Sequence, residues 1–450
     1  MRHGAAMVRL FLALIALTLA LPAQAAEGDV VFTHVNVVPM DRERVLRDVN
    51  VVVSGGRIVA VGRDTRPPAG ARVIDGGRRL WLSPGLADMH VHSDTRDDLA
   101  VYLANGVTTI ATMGDVRASF VGRTTPASND GRIPGPSVYN AFIVDGSPAY
   151  GHFTAPTPEL ARAAVALAKS NGYRFIKVYN NLSPAVFAAL ADEGKRLGLP
   201  LVGHGVTKIG LRAQAAAGQV LVAHAEEFFY TFFSAPGEAQ TDAPPPDARI
   251  AEAVDFAKRS GIAVGADLVT YDIIARQIGH PEVVEAFLTA PSGRYVAPAN
   301  RLGWRRDGYV AKTANLARRY AFLERMVKAM ANGGVELLAG TDAPVVPGAA
   351  PGFALHDDLA LLERAGLTRF QALATATRAP GRFLSRTIGE LPSGTITPGA
   401  RADLILSDAN PLDRLDTLRR PLGVMVRGRW HDAAALKTML DGVAAAYATR

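Results

Sequence analysis

Two histidines close an apolar run, Ser83-Pro84-Gly85-Leu86-Ala87-Asp88-Met89-His90-Val91-His92. Side chains alternate faces along a β-strand, so His90 and His92 point the same way, and two imidazoles at a strand end can share a metal ion. Alone the pair is not specific, because a strand histidine is commonly just hydrogen-bonded. Four residues downstream add weight: Lys177 in Phe175-Ile176-Lys177-Val178, His204 after Leu201-Val202-Gly203, His224 after Val222-Ala223, and Asp342 in Gly340-Thr341-Asp342-Ala343-Pro344. Histidine and aspartate bind metals as they stand. Lysine does so once carbon dioxide turns it into an anionic carbamate, which can bridge two cations. Each residue also has a structural alternative. Lys177 could be a strand-end lysine reaching solvent, although its strand is apolar and an unpaired buried lysine is costly. His204 and His224 have small neighbours that also suit tight packing. Asp342 could cap a helix. Their joint placement, six ligand-capable residues on five strands, favours a metal centre. Tyr179 lies two residues past Lys177 on the same strand face, where its hydroxyl could polarise a scissile carbonyl or simply pack. His152, in Tyr150-Gly151-His152-Phe153, could contact substrate or be a loop histidine.

The elements that must position these residues form a rhythm. Apolar strand candidates at 107–111, 137–142, 175–179, 201–204, 220–224, 263–269 and 336–342 follow the first strand and alternate with Ala- and Leu-rich stretches. Eight strands in this pattern make a parallel α/β architecture and close a (β/α)8 barrel, whose catalytic groups stand at the C-terminal strand ends. Helices are expected at 158–171, 184–197 and 311–332 from their apolar spacing. Residues 228–247 and 291–307 hold aromatic, Gly and Pro clusters and are expected as loops over the active face. Before the barrel, 30–32, 49–53 and 58–61 are β-branched runs with a Ser54-Gly55-Gly56 turn. Near the end, 402–406 and 423–428 return to β-character, which makes the flanking β-domain discontinuous. The expected organisation is a signal peptide over 1–26, a small β-sandwich from 27–82 and 391–431, a barrel over 83–390, and a helix in 432–450.

Composition bounds the rest. Of 450 residues, 48% are hydrophobic and 20% charged, which suits a packed globular chain. Residues 1–26 carry Arg2 and Arg9, a short apolar core and Ala23-Gln24-Ala25, a secretory pattern whose alternative is an uncleaved anchor. A periplasmic or secreted protein follows, with no stable membrane anchor after cleavage. There is no cysteine, which excludes disulfides, thiolate ligands and a Cys nucleophile. Net charge is +7, about +5 without the two leader arginines, and no basic block or aromatic ladder suggests nucleic acid. A homo-oligomer is compatible with this composition.

Taken together, these motifs resemble the amidohydrolase superfamily, binuclear type with a carboxylated lysine, in its imidazolonepropionase-like and Xaa-Pro dipeptidase-like branch. The resemblance covers nearly everything after residue 26. It includes Pro84-Gly85-Leu86, Gly340-Thr341-Asp342, Pro351-Gly352-Phe353 with Leu355-His356, Ala365-Gly366-Leu367-Thr368 and Pro398-Gly399-Ala400-Arg401-Ala402-Asp403-Leu404. It implies two divalent ions, zinc first with Mn, Co or Fe as alternatives. His90, His92 and Asp342 would hold one ion, His204 and His224 the other, and carboxylated Lys177 would bridge them. It further implies a bridging hydroxide that attacks a carbonyl carbon, with Asp342 taking its proton and passing it to the leaving nitrogen. The implied substrate is a small amide or dipeptide. One departure is Val178-Tyr179-Asn180-Asn181 after Lys177, where many dipeptidases of this branch carry a Ser/Gly-rich turn. Two alternatives stay open: a mononuclear deaminase on the same barrel, disfavoured by the lack of a glutamate near His204 in the sequence, and a secreted metal-binding protein without catalysis.

Overall fold

The computed structural model describes residues 29–238, 243–306 and 308–448. The expected signal segment lies outside the described residues. The chain enters through five strands, β1 (Val30–Val37), β2 (Leu46–Ser54), β3 (Arg57–Gly62), β4 (Arg72–Asp75) and β5 (Trp81–Pro84). It then winds through β6 (Leu86–Val91), β7 (Val107–Thr112), β8 (Ser137–Asp145), a short β9 (Phe153–Thr154) paired only to β8, β10 (Phe175–Val178), β11 (Leu201–Gly203), β12 (Gln219–Val222), β13 (Ala263–Gly265) and β14 (Leu337–Leu338). It returns through β15 (Leu404–Ser407), β16 (Gly423–Val426) and β17 (Arg429–Asp432).

β6 to β14, without β9, run parallel in the order of a barrel. The ring closes between the last strand and the first. Met89 N donates to Ala339 O at 2.9 Å, Asp342 N to His90 O at 2.9 Å and His92 N to Ala343 O at 2.7 Å. The site residues therefore lie on both sides of the seam. Helices form where caps and periodicity agree. Thr157 and Ser183 accept from Leu160 N and Val186 N, with Pro158 and Pro184 in the first turn, and start helices Pro158–Ser170 and Pro184–Leu197. The third expected helix runs Ala317–Gly333, starting later than its apolar spacing suggests.

Strands from the two chain ends form one sheet, in the order β17-β16-β15-β5-β1-β2-β3. Phe32 of β1 and Trp430 of β17 are well separated in that order, yet their rings are 5.3 Å apart. The sheet thus folds over itself into a small sandwich around Phe32, Val51, Leu404 and Met425. The architecture is a (β/α)8 barrel with a discontinuous β-sandwich.

Three expectations need correction. The strand expected over 263–269 stops at Gly265, and Leu268–Gln277 is helical, because Asp267 takes a left-handed turn (φ +41°) that ends the strand. The stretch 228–247 is not an open loop at its start. Glu227–Thr231 is a short helix that buries Phe228, Phe229 and Phe232 in the main core, since an aromatic cluster is stabilised most by leaving water. The stretch 291–307 holds helix Pro298–Arg306, whose buried Trp304 donates to Pro344 O at 2.8 Å. That contact keeps it beside the active face.

Candidate metal centre

The C-terminal ends of five barrel strands converge on one cluster. β6 delivers His90 and His92, β10 Lys177, the turn after β11 His204, the turn after β12 His224, and the segment after β14 Asp342. Donor atoms meet closely: His90 Nε2 is 3.3 Å from Asp342 Oδ1, His92 Nε2 is 3.0 Å from the same oxygen, and Lys177 Nζ is 3.2 Å from His90 Nε2. Donors around a tetrahedral ion with bonds of about 2.0 Å stand roughly 3.3 Å apart, so these spacings fit a cation. Among the described residues, His90, His224 and Asp342 each offer a donor atom, and these atoms all lie within 4.8 Å of one another. His92 joins them through Asp342, and this grouping cuts across the two ligand sets that the resemblance implies.

Two structural alternatives fall here. Lys177 is 1% exposed and does not reach solvent. Asp342 caps no helix, since the next one begins at Phe353 behind Gly352. Asp342 is instead held at φ +57°, a left-handed conformation that costs most residues energy and that aspartate tolerates.

Behind the histidines stands a ring of oxygen partners for Nδ1. His92 Nδ1 meets Gly114 O at 3.1 Å. His204 Nδ1 meets Asn180 Oδ1 at 3.1 Å and Glu227 Oε1 at 2.7 Å. His224 Nδ1 lies 2.7 Å and His90 Nδ1 3.5 Å from Asp267 Oδ2, without ideal hydrogen-bond angles. An oxygen at Nδ1 leaves Nε2 as the donor, the arrangement of histidines that bind metals. The sequence reading missed Asp267, Glu227 and Asn180. Asp267 sat inside an expected strand, and Glu227 is distant in sequence from the histidine it braces. The sequence argument against a glutamate near His204 is therefore overturned in space.

Electrostatics set this cluster apart. Burial, with the Lys177 charge adding, holds His90 and His204 well below the usual imidazole range. Burial also lowers the Lys177 ammonium. For Asp342 burial acts upward, but the facing imidazoles of His90 and His92 outweigh it and hold the carboxyl well below its ordinary value. Asp267 goes the other way, raised by burial and then by Asp342. Burial pushes Glu227 up to about 7.

At the mouth, the Tyr179 ring lies 4.2 Å from His204 and 4.4 Å from His152. Burial raises the Tyr179 hydroxyl, which stays protonated. His152 is braced by Asp115 Oδ1 at 3.0 Å through Nδ1, and its buried Nε2 makes no hydrogen bond among the described residues.

No family model matches the chain. A curated dihydroorotase from Anaeromyxobacter dehalogenans (strain 2CP-C) is 24% identical over 180 residues, 39% of this chain. The match spans only 37% of that relative's length. Solved structures match far more of the chain. A putative prolidase from Bifidobacterium longum is 23% identical, covering 92% of this chain and 98% of that one at TM-score 0.64. The bottromycin amidohydrolase is 23% identical, covering 93% and 91% at TM-score 0.71. A Xaa-Pro dipeptidase with methionine bound in its active site is 18% identical, covering 90% and 100% at TM-score 0.67. The chain has the fold these solved structures share. At such identities the likeness reaches the fold alone.

Proposed function

We propose that the chain is a metal-dependent hydrolase that cleaves a carbon–nitrogen bond in a small amide or dipeptide-like substrate. One observation carries this reading. Lys177 is fully buried, with Nζ 3.2 Å from His90 Nε2, in the midst of four histidines and Asp342. A free ammonium there would repel the cations that the histidines are arranged to hold. A carbamate replaces that charge with a negative one and supplies two oxygens. On this reading His90, His92 and Asp342 would hold one ion and His204 and His224 the other, with carboxylated Lys177 supplying an oxygen to each. When bound, the ions act as Lewis acids and make water a nucleophile near neutral pH.

The chain's own residues do the rest. Asp342 is the most open member of the cluster, at 16% side-chain exposure against 3% for His90 and 6% for His224, and so faces the substrate side. It takes the proton of the attacking water and returns it to the leaving nitrogen. Tyr179, held protonated, donates to the carbonyl oxygen as negative charge develops there. His152 offers Nε2 to a polar group of the substrate. Export to the periplasm or beyond rests on the signal-like composition of residues 1–26, and a mature chain starting near residue 27 is the expected result of N-terminal sequencing.

One observation bears on the deaminase alternative. Glu227 is the acid beside His204 that such chemistry needs. However, its carboxylate is 4% exposed, its Oε1 faces His204 Nδ1, and its Oε2 accepts from Gly205 N at 3.1 Å. A carboxylate engaged at both oxygens and turned away from the opening suits bracing better than proton transfer to substrate.

The test is a screen of N-acyl amino acids, Xaa-Pro dipeptides and cyclic amides after loading with zinc and bicarbonate, with metal analysis alongside. Amide turnover with about two ions per chain is expected. Full turnover at one equivalent would sink the binuclear centre, and no turnover with both ions bound would favour the non-catalytic alternative.

A further inference from the structure

Two of the carboxylates that face the histidines differ in what they touch. Asp342 meets Nε2 nitrogens, the donors themselves. Asp267 meets only Nδ1 nitrogens, on the opposite side of two rings. Its Oδ2 is 2.7 Å from His224 Nδ1 and 3.5 Å from His90 Nδ1, and the two rings lie 4.3 Å apart. These histidines come from β6 and β12, on opposite sides of the barrel wall that β13 and β14 complete. A single oxygen spans them.

The surroundings hold Asp267 in place. Its side chain is 1% exposed. Its backbone is held in the left-handed region at φ +41° and ends β13. Gly340, on the neighbouring strand segment, leaves the room it needs: a Cβ there would meet Asp267 Oδ1 at 2.2 Å and His90 Cβ at 2.8 Å. By contrast, Glu227 braces His204 alone.

The geometry points to Asp267 as a shared positioning residue, one carboxylate that orients a ligand of each of the two metal ions. This rests on the binuclear reading, in which His90 and His224 would serve different ions; their donors, within 4.8 Å of each other and of Asp342, also fit two ions about 3.5–4 Å apart. A carboxylate behind a ligand histidine fixes its tautomer, aims Nε2 and raises its basicity. Here both effects reach both ions through one group, so its loss weakens both sites together. Loss of Glu227 weakens one.

The experiment titrates metal-free protein with zinc against a chromophoric chelator in the presence of bicarbonate, for the wild type, Asp267→Asn, Asp267→Ser and Glu227→Gln. Cobalt absorption spectra report ligand geometry separately from activity. Asparagine is isosteric and accepts the left-handed backbone, and melting of the metal-free variants checks that they fold. The expected result is two zinc equivalents in the wild type. Both should bind about 10- to 100-fold more weakly in the Asp267 variants, with altered cobalt spectra, and only one more weakly in Glu227→Gln. Two equivalents in the wild type, with one or neither weakened in the Asp267 variants, overturns the shared role and leaves the binuclear centre standing. One equivalent or none in the wild type overturns the binuclear reading, and the shared role with it.

Discussion

The barrel buries a polar cluster toward each end, and the two are built on opposite rules. Toward the N-terminal strand ends, Arg401 from the sandwich segment is 8% exposed and bonded through all three guanidinium nitrogens. Its Nε donates to Asp403 Oδ2 at 2.5 Å, one terminal nitrogen to Tyr139 Oη at 3.1 Å and the other to Thr109 Oγ1 at 2.9 Å. Asp403 Oδ1 takes the remaining bond, from Arg427 N at 2.7 Å. Burial opposes the Arg401 charge, but Asp403 outweighs it and keeps the guanidinium charged. At the C-terminal ends, Lys177 faces the His90 imidazole, Asp267 faces Nδ1 atoms at poor angles, and His90 Nδ1 makes no hydrogen bond among the described residues. A cluster that satisfies itself stabilises a fold. A cluster whose Nε2, carboxylate and lysine donors all converge on one point is arranged for a group that the chain does not supply.

Four measurements break or sharpen this contrast. The largest effect is expected for Asp342→Asn, about 10²- to 10⁴-fold in turnover with most of the metal retained. The amide keeps an oxygen for a cation but cannot accept a proton. Near-normal rates for this variant would remove Asp342 from proton transfer. Lys177→Ala comes next, losing roughly 100-fold or more in activity together with part of the metal. Added formate or acetate should restore some of both, and intact mass under gentle conditions should show one carbon dioxide on the wild-type chain. Wild-type rates in the alanine variant without added acid would return Lys177 to a structural role.

At the other end the outcome should invert. Arg401→Met leaves Asp403 buried without its cation and should cost about 3–5 kcal/mol in denaturant unfolding. The folded fraction should keep its metal affinity, and a parallel loss of metal would show that the two clusters are not independent. The smallest effect concerns Asp98, whose carboxyl burial pushes up to about 7 from 3.8. A raised carboxyl leaves stability intact below pH 3.8 and lowers it as pH climbs toward 7. Asp98→Asn should match the wild type near pH 4 and melt on the order of 2–4 °C higher at pH 8. Melting curves that stay parallel across this range would contradict the shift.

Six candidate ligands and the barrel that carries them were legible in the chain because their signals are local. An apolar run with an i, i+2 histidine pair needs only strand alternation to aim both rings. Lys177, His204, His224 and Asp342 each stand at the end of such a run. The helix starts at Pro158 and Pro184 were legible for the same reason, since helical apolar spacing is read within a few neighbouring turns. The supporting shell was not legible. Asp267 braces His224 from the adjoining strand and His90 from two strands along the wall, and Glu227 reaches back to His204, pairings with no fixed sequence spacing. The aromatic run at 228–233 has no clear period, so only burial against Phe256 and Phe322 decides that it turns inward. Local alternation chose which residues stand at the strand ends. Closure of the ring chose which of their nitrogens face one another, because that depends on through-space distances that a linear chain does not encode until its ends meet.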